Sequence, residues 1–267
     1  MVMSRRLRLD AELVRRGLAR SRDQAADLIA AGRVAVAGQT AVKGASQVAL
    51  DAAITVRQVS DEPEYVSRGG YKLAGALAAF GGLVVAGRRC LDAGASTGGF
   101  TDVLLRAGAA HVVAADVGYG QLAWSLQTDE RVTVLDRVNV RSLTPAQVAP
   151  PPDLVVADLS FISLTLVLPA LVSCAAPDAD FVLMVKPQFE VGKDQVGGGV
   201  VRDPALRAAA VASVAEAAEG LGLGVAGVTA SPLPGPSGNV EYFLWLRRGA
   251  PPLDDADLHA AVAGGPP

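Results

Sequence analysis

The apolar residues of this 267-residue chain follow two different rhythms, and the change between them near residue 62 divides the sequence in two. In the first part, Leu9, Leu13 and Leu18 recur along one face of residues 7–19, with Gly17 near the end, which predicts an amphipathic helix. Ser21 stands three residues before Gln24 in capping-box spacing, and Ala25, Leu28 and Ile29 form the apolar side of a second helix that Gly32 stops. Residues 33–38 alternate as a short strand with a turn after it, and residues 53–56 read as another strand. The acidic stretch Asp61-Glu62-Pro63-Glu64 marks a linker.

Beyond it, compact apolar runs alternate with helical stretches. Strands are predicted at 89–91, 111–116, 132–135, 153–157 and 181–185, with helices between them, which implies a mostly parallel sheet covered on both faces. Segments 224–229 and 241–246, joined by the Pro- and Gly-rich 231–238, add an edge hairpin and bring the count to seven strands. The fold class is therefore α/β, with a small α+β domain in front. The expected organisation is an N-terminal domain over 1–61, a linker over 62–67, a large domain over 68–248, and a loose tail over 249–267, where prolines flank a stretch without a core-building period.

Charge sharpens the contrast between the parts. Residues 1–60 hold ten Lys or Arg against five Asp or Glu, a balance of +5, and the remainder carries −8 to give −3 overall. A basic end of this kind suits a polyanionic partner. Half of the residues are apolar, enough for a sizeable core, yet no run approaches the roughly 18 residues of a membrane helix and no secretory leader opens the chain. A soluble, cytoplasmic protein with no membrane partner is expected. Cys90 and Cys174 fit a reducing compartment better than a disulfide framework, and two histidines, His111 and His259, make a histidine-built metal site an unpromising expectation.

The first part resembles the S4 RNA-binding domain. Its pattern L-D-x-x-L-V-x-R-G-L-A-x-S-R-x-x-A-x-x-L-I-x-x-G-x-V-x-V-x-G stands here from Leu9 to Gly38. The resemblance implies that Arg5, Arg6, Arg15, Arg16, Arg20, Arg22 and Arg33 contact RNA phosphates, contacts that position RNA without reading its sequence. The alternative is that some of these arginines only pair with Asp10, Glu12, Asp23 or Asp27 on the helix surface.

The chemistry of the second part centres on Asp92-Ala93-Gly94-Ala95-Ser96-Thr97-Gly98-Gly99-Phe100-Thr101, a strand that breaks into a glycine loop before a helix. A dinucleotide fingerprint needs G-x-G-x-x-G; here Ser96 takes the place of the middle glycine, and an acid precedes the first. That spacing favours S-adenosylmethionine, whose carboxylate suits the positive helix end. Asp92, Gly94, Ser96, Gly98 and Gly99 are the loop candidates, and Asp116, ending the next strand, is the partner for ribose hydroxyls. Phe100 either covers the cofactor or packs on the sheet, and Asn139 either approaches the adenine or serves its own turn. The glycine-rich 192–199 with Lys193 is either a mobile loop closing over RNA or an idle one.

Ligands of such sheets bind beyond the carboxyl ends of the strands. Asp158 and Lys186 stand at two of those ends; Glu241 opens an antiparallel strand at the same edge, and Lys72 lies on the helix before the first strand. Two lysines and two carboxylates beside a sulfonium donor suit methyl transfer to a ribose 2′-hydroxyl. Lys186 is the expected general base, Asp158 orients it and also borders the cofactor, and Lys72 with Glu241 holds the ribose. Two structural ion pairs, Lys72–Glu241 and Lys186–Asp158, are the bland alternative.

From Val66 to Arg247 the motifs S-R-G-x-x-K-L, L-D-A-G-A-S-T-G-G-F-T, D-V-G-Y-G-Q-L, V-V-A-D-L-S-F-I-S-L, V-K-P-Q-F-E-V-G-K and S-P-L-P-G-P-x-G-N-x-E-Y-F-L-W-L are similar to those of the haemolysin A type rRNA methyltransferases. The resemblance implies a class I, Rossmann-like domain of FtsJ type, with a K-D-K-E tetrad falling on Lys72, Asp158, Lys186 and Glu241. It further implies S-adenosylmethionine as cofactor and 2′-O-methylation of cytidine in ribosomal RNA of one or both subunits, with RNA rather than DNA as partner. One departure is Pro63-Glu64-Tyr65-Val66, where the family writes R-x-W-V; Tyr65 either stacks on a base or packs. A catalytically silent assembly factor and a membrane-active haemolysin are the competing readings.

Overall fold

The computed structural model describes residues 6–19, 22–57, 64–192, 196, 198–235 and 237–266 and divides into two compact units, residues 1–64 and 65–267. Ser21, Lys193 and the linker residues Asp61, Glu62 and Pro63 lie outside the described residues.

In the first unit β1 (Arg6–Arg8) runs directly into α1 (Leu9–Arg15), followed by α2 (Arg22–Ala30), β2 (Val34–Val36), β3 (Gln39–Thr40), β4 (Gln47–Ala49) and β5 (Ile54–Val56). β1 pairs antiparallel with β4, while β2 lies between β3 and β5. The helix predicted over 7–19 is thus shorter at both ends. Leu7 and Arg8 are taken into strand pairing with Val48 and Gln47, and Gly17, at φ +69°, turns the chain so that the Leu18 and Ala19 N–H groups both donate back to the Leu13 carbonyl. Leu18 consequently leaves the apolar face, and Leu9, Leu13, Ala25, Leu28, Ile29 and Val34 form the core.

The second unit contains α3 (Arg68–Ala79), β6 (Arg89–Ala93), α4 (Gly99–Arg106), β7 (His111–Asp116), α5 (Trp124–Gln127), β8 (Val132–Asp136), α6 (Pro145–Val148), β9 (Leu154–Ala157), α7 (Leu164–Cys174), β10 (Asp180–Val185), α8 (Pro187–Glu190), α9 (Pro204–Glu219), β11 (Gly224–Ala230), β12 (Tyr242–Arg247) and α10 (Asp255–Ala263). The strands form one seven-stranded sheet in the order β11-β12-β10-β9-β6-β7-β8. β10, β9, β6, β7 and β8 are parallel, and β12, antiparallel to β10, separates it from the edge strand β11. This is the α/β architecture that the alternating runs imply. The reversal between β6 and its neighbours β9 and β7 creates a crevice at the carboxyl ends.

The parallel strands are apolar at nearly every position because both faces are covered. Leu91, Val113, Val155, Leu183 and Leu244 face α7 and α9, whereas Cys90, Val112, Val156, Val182 and Phe243 face α3 and α4. The tail expected to be loose from residue 249 is corrected by α10: Asp254 Oδ1 accepts from the Ala256 and Asp257 N–H groups, and Leu258 and Ala261 are buried in the same core as β11. The buried stripe is Leu258 and Ala261 with Val262 beside them, set among alanines and between prolines, too short to register as a period.

Candidate active site

The glycine loop after β6 is held open by its own backbone. The Gly94 and Ala95 N–H groups donate to the Ala115 carbonyl and the Ser96 N–H to Asp116 Oδ2, with Gly94, Ser96 and Gly98 all at positive φ. At Gly94 a Cβ would lie 2.5 Å from the Asp158 carbonyl oxygen, so only glycine lets the loop pass the end of β9. At Gly99 a Cβ would lie 2.7 Å from the Gly70 nitrogen, which shows how closely the starts of α4 and α3 approach. That approach carries Lys72, one turn into α3, toward the same edge.

Two acids flank the loop. Asp92 is fully buried; Thr101 Oγ1 donates to its Oδ2 at 2.7 Å, and Oδ1 has no hydrogen-bond partner. Burial pushes its carboxyl up to about 7, against the Thr101 hydrogen bond, and the charges of Asp158 and Asp116 push in the same direction. Asp116 accepts from Ser96 N through one oxygen and from Gly118 N at 2.7 Å through the other, so its carboxylate is fixed with lone pairs still available.

The two lysines form separate pairs. Lys72 Nζ donates to Glu241 Oε2 at 2.5 Å, and both side chains are nearly excluded from solvent. Lys186 Nζ lies 2.5 Å from Asp158 Oδ1, off the direction of a hydrogen bond, and donates to Ser160 Oγ at 3.0 Å; here Asp158 keeps 24% exposure. The sheet register brings the pairs together. Val185 opposes Tyr242, so Lys186 and Glu241 are the next residues on the antiparallel strands β10 and β12, while Asp158, just after β9, donates its N–H to the Ala93 carbonyl at the end of β6. Gly94, Asp158, Lys186 and Glu241 thus stand at four adjacent strand ends. Ser160 escaped sequence reasoning, although its place directly after the β9 end was the available signal.

Two cofactor candidates have structural duties of their own. Phe100 is buried in the sheet core, its ring centroid 6.0 Å from that of Phe243, so it packs rather than covers. Asn139 Oδ1 accepts from Arg141 N and caps the 3-10 turn Val140–Ser142, the turn chemistry that was the alternative for it. Tyr65 packs edge-on against Tyr71, centroids 5.1 Å apart, with the Arg106 guanidinium over its ring.

Among the arginines of the first unit, Arg5 and Arg20 lie outside the described residues and Arg6 is exposed on β1. Arg15 and Arg16 both bond Glu12, and Arg16 also donates to the Leu50 and Ala52 carbonyls, so it stitches α1 to the chain after β4. These bonds hold the Glu12 carboxyl down at about 2. Arg22 pairs with Asp10, which Arg8 also bonds, and Arg33 donates to the Arg57 carbonyl. Arg8 was not among the residues singled out from sequence.

Residues 65–248 match the model of the FtsJ-like methyltransferases and residues 7–54 that of the S4 domain. The chain belongs to the FtsJ-like methyltransferase family. Use of S-adenosylmethionine follows from that membership and the fold. The chain is 65% identical over 272 residues to the 16S/23S rRNA (cytidine-2′-O)-methyltransferase TlyA of Mycobacterium tuberculosis, covering 99% of this chain and 100% of that one. It is 37% identical over 239 residues to hemolysin A of Brachyspira hyodysenteriae, covering 89% and 98%. The solved structure of a hemolysin-named protein from Streptococcus thermophilus superposes with a TM-score of 0.77 at 36% identity, covering 97% of this chain and 95% of that one. Among the described residues of this family member, no helix is long and apolar enough to cross a membrane.

Proposed function

We propose that this protein transfers a methyl group from S-adenosylmethionine to the 2′-hydroxyl of a cytidine in ribosomal RNA, in the cytoplasm. The observation that carries the reading is the row of strand ends on which Lys186–Asp158 stands between the Gly94 loop and the buried Lys72–Glu241 pair. The relatives named for rRNA methylation and the S4 match agree with it.

The residues at the loop fit the cofactor. Asp92 Oδ1 is a buried acceptor lacking a partner, of the kind an ammonium group would satisfy, and the fixed Asp116 carboxylate suits a ribose diol. Gly94, Ser96, Gly98 and Gly99 supply the backbone cradle. When bound, S-adenosylmethionine supplies an electrophilic methyl on a positively charged sulfur. The protein's task is to hold O2′ in line with that methyl and to take up the hydroxyl proton as the O–C bond forms and the S–C bond breaks. Lys186, held by Asp158 and Ser160, takes up that proton on Nζ in its neutral amine form, since an ammonium has no lone pair to accept it. Lys72 and Glu241, fixed against each other, line the ribose side, and such positioning supplies much of the acceleration. In the first unit, Arg15 and Arg22 are more than half exposed, and each is oriented by a carboxylate with guanidinium donors left for phosphates.

Transfer of tritiated methyl from S-adenosylmethionine to ribosomal subunits from cells lacking the protein tests the reading, with the site mapped by reverse-transcription stops at low nucleotide. Label on a ribose 2′-oxygen that disappears with Lys186→Ala is the expected result. No label on either subunit from a protein that binds the cofactor in calorimetry would instead favour a non-catalytic assembly factor.

A further inference from the structure

The loops leaving β9 and β10 carry Asp158 and Lys186, and a second link joins them outside the tetrad. Glu190, the last residue of α8, accepts from Ser163 Oγ through Oε2 at 2.5 Å and from the Leu164 backbone N–H through Oε1 at 2.8 Å. Burial pushes the Glu190 carboxyl upward, and these two hydrogen bonds oppose the push. At the start of α7, Ser163 Oγ accepts from Thr165 N, and the Glu190 carboxylate takes up the separate Leu164 N–H by reaching across from α8, so it completes the cap from another element. The bonds therefore serve to join two elements. They close a ring that runs from Lys186 across to Asp158, along residues 159–163, through the Glu190 carboxylate and back down the single turn of α8. Within the ring Phe161 holds a left-handed backbone at φ +65° although it is 90% exposed, a conformation that is strained for a non-glycine residue and persists only where its surroundings impose it. Its ring meets Phe189 on α8, centroids 5.2 Å apart, so the same two elements touch at a third place.

We propose that Glu190 is a positioning residue: by tying Ser163 and Leu164 to α8 it fixes the 158–163 loop and so sets Asp158 against Lys186. The inference rests on the methyl-transfer reading above. Displacement of a reacting group by about 1 Å can cost on the order of 100-fold in rate. Glu190→Ala should therefore lower kcat by about 10- to 100-fold while the cofactor dissociation constant and the KM for RNA stay within about threefold, since both Glu190 carboxylate oxygens are turned to Ser163 and Leu164. Glu190→Gln, whose Oε1 can still accept from the Leu164 N–H while its NH2 donates to the rotatable Ser163 hydroxyl, should recover activity to within about fivefold of the parent. Ser163→Ala combined with Glu190→Ala should lose no more than Glu190→Ala alone, as members of one unit do.

The experiment is steady-state methyl transfer to ribosomal subunits by the full chain and these variants, with calorimetric cofactor binding and thermal unfolding alongside. An unchanged kcat in Glu190→Ala overturns the proposal while leaving the methyl-transfer reading in place. So does a Gln variant as slow as the Ala variant. If Glu190→Ala fails to fold, Ser163→Ala decides: kcat equal to the parent overturns the link. A parent protein that transfers no methyl overturns the underlying reading, and the positioning role with it.

Discussion

Lys72→Met separates what the Lys72–Glu241 pair does for folding from what it does for chemistry. The Lys72 and Glu241 side chains are 8% and 1% exposed, their charged atoms are 2.5 Å apart, and a Cβ on Gly235 would lie 2.7 Å from Glu241 Oε1, so the pair is held close and nearly shut from solvent. Methionine fills the lysine stem and strands the carboxylate. Leaving one member of a buried pair costs about 3–5 kcal/mol, a large part of the roughly 5–15 kcal/mol that holds a domain folded. For a unit of this size each kcal/mol is about 2–4 °C, so the melting temperature should fall by about 10 °C. The Lys186–Asp158 pair retains water at Asp158, and Lys186→Met should cost only about 1–2 kcal/mol. Both variants should lose methyl transfer. Guanidinium unfolding followed by circular dichroism reads the difference, and Lys72→Met/Glu241→Gln should recover most of the lost stability because no uncompensated charge remains. The reasoning is refuted if Lys72→Met is no less stable than Lys186→Met, or if the double variant is the least stable of all.

Other expectations follow from single contacts. Gly98→Ala puts a Cβ 2.2 Å from Leu126 Cδ1 at φ +98°, so it should destabilise by about 2 kcal/mol and weaken cofactor binding at least tenfold, both measurable by calorimetry. The Asp92 carboxyl, raised to about 7, binds a proton in the folded chain that the unfolded chain has released, so its contribution to stability is full below the ordinary carboxylate range and is lost as pH rises through 7. Melting temperatures of the parent should fall relative to Asp92→Asn between pH 5 and 8, and parallel profiles would remove Asp92 as the cause. Glu12 works in the opposite sense. Its carboxyl is lowered to about 2 by Arg15 and Arg16, so the stability it lends to the first unit is present above the ordinary glutamate value and lost as pH falls toward 2; amide signals of α1 in the full chain should vanish at higher pH in Glu12→Gln. Ending the chain at residue 253 removes α10 and uncovers the core beside β11, and should lower the melting temperature of the second unit by several degrees.

The amino-acid sequence by itself determined the order of the strands in the second unit, the glycine loop after β6, and the places of Asp158, Lys186 and Glu241 at strand ends, because these depend on local spacing: apolar runs of strand length, glycines where the backbone turns, a charge directly beside a buried run. It did not show which face of the sheet each strand residue meets, since strands covered on both sides are apolar throughout, and alternate residues were sorted between α7–α9 and α3–α4 only by assembly. Phe100 was compatible with two roles until packing placed its ring in the sheet core, and the cap that Asn139 supplies to its own turn is likewise seen only in the fold. Arg16 has the same local look as Arg15, yet the fold spends it on the carbonyls of Leu50 and Ala52. The tail became α10 because β11 offered a surface for Leu258 and Ala261 to cover, a partner that lies outside any local window. The same holds for the site: Lys72 and Glu241 are 169 positions apart, and Glu190 reaches Ser163 across 27. Such partners are chosen by strand order and register, which come from burial summed over the whole sheet and leave no trace in the spacing of a single segment.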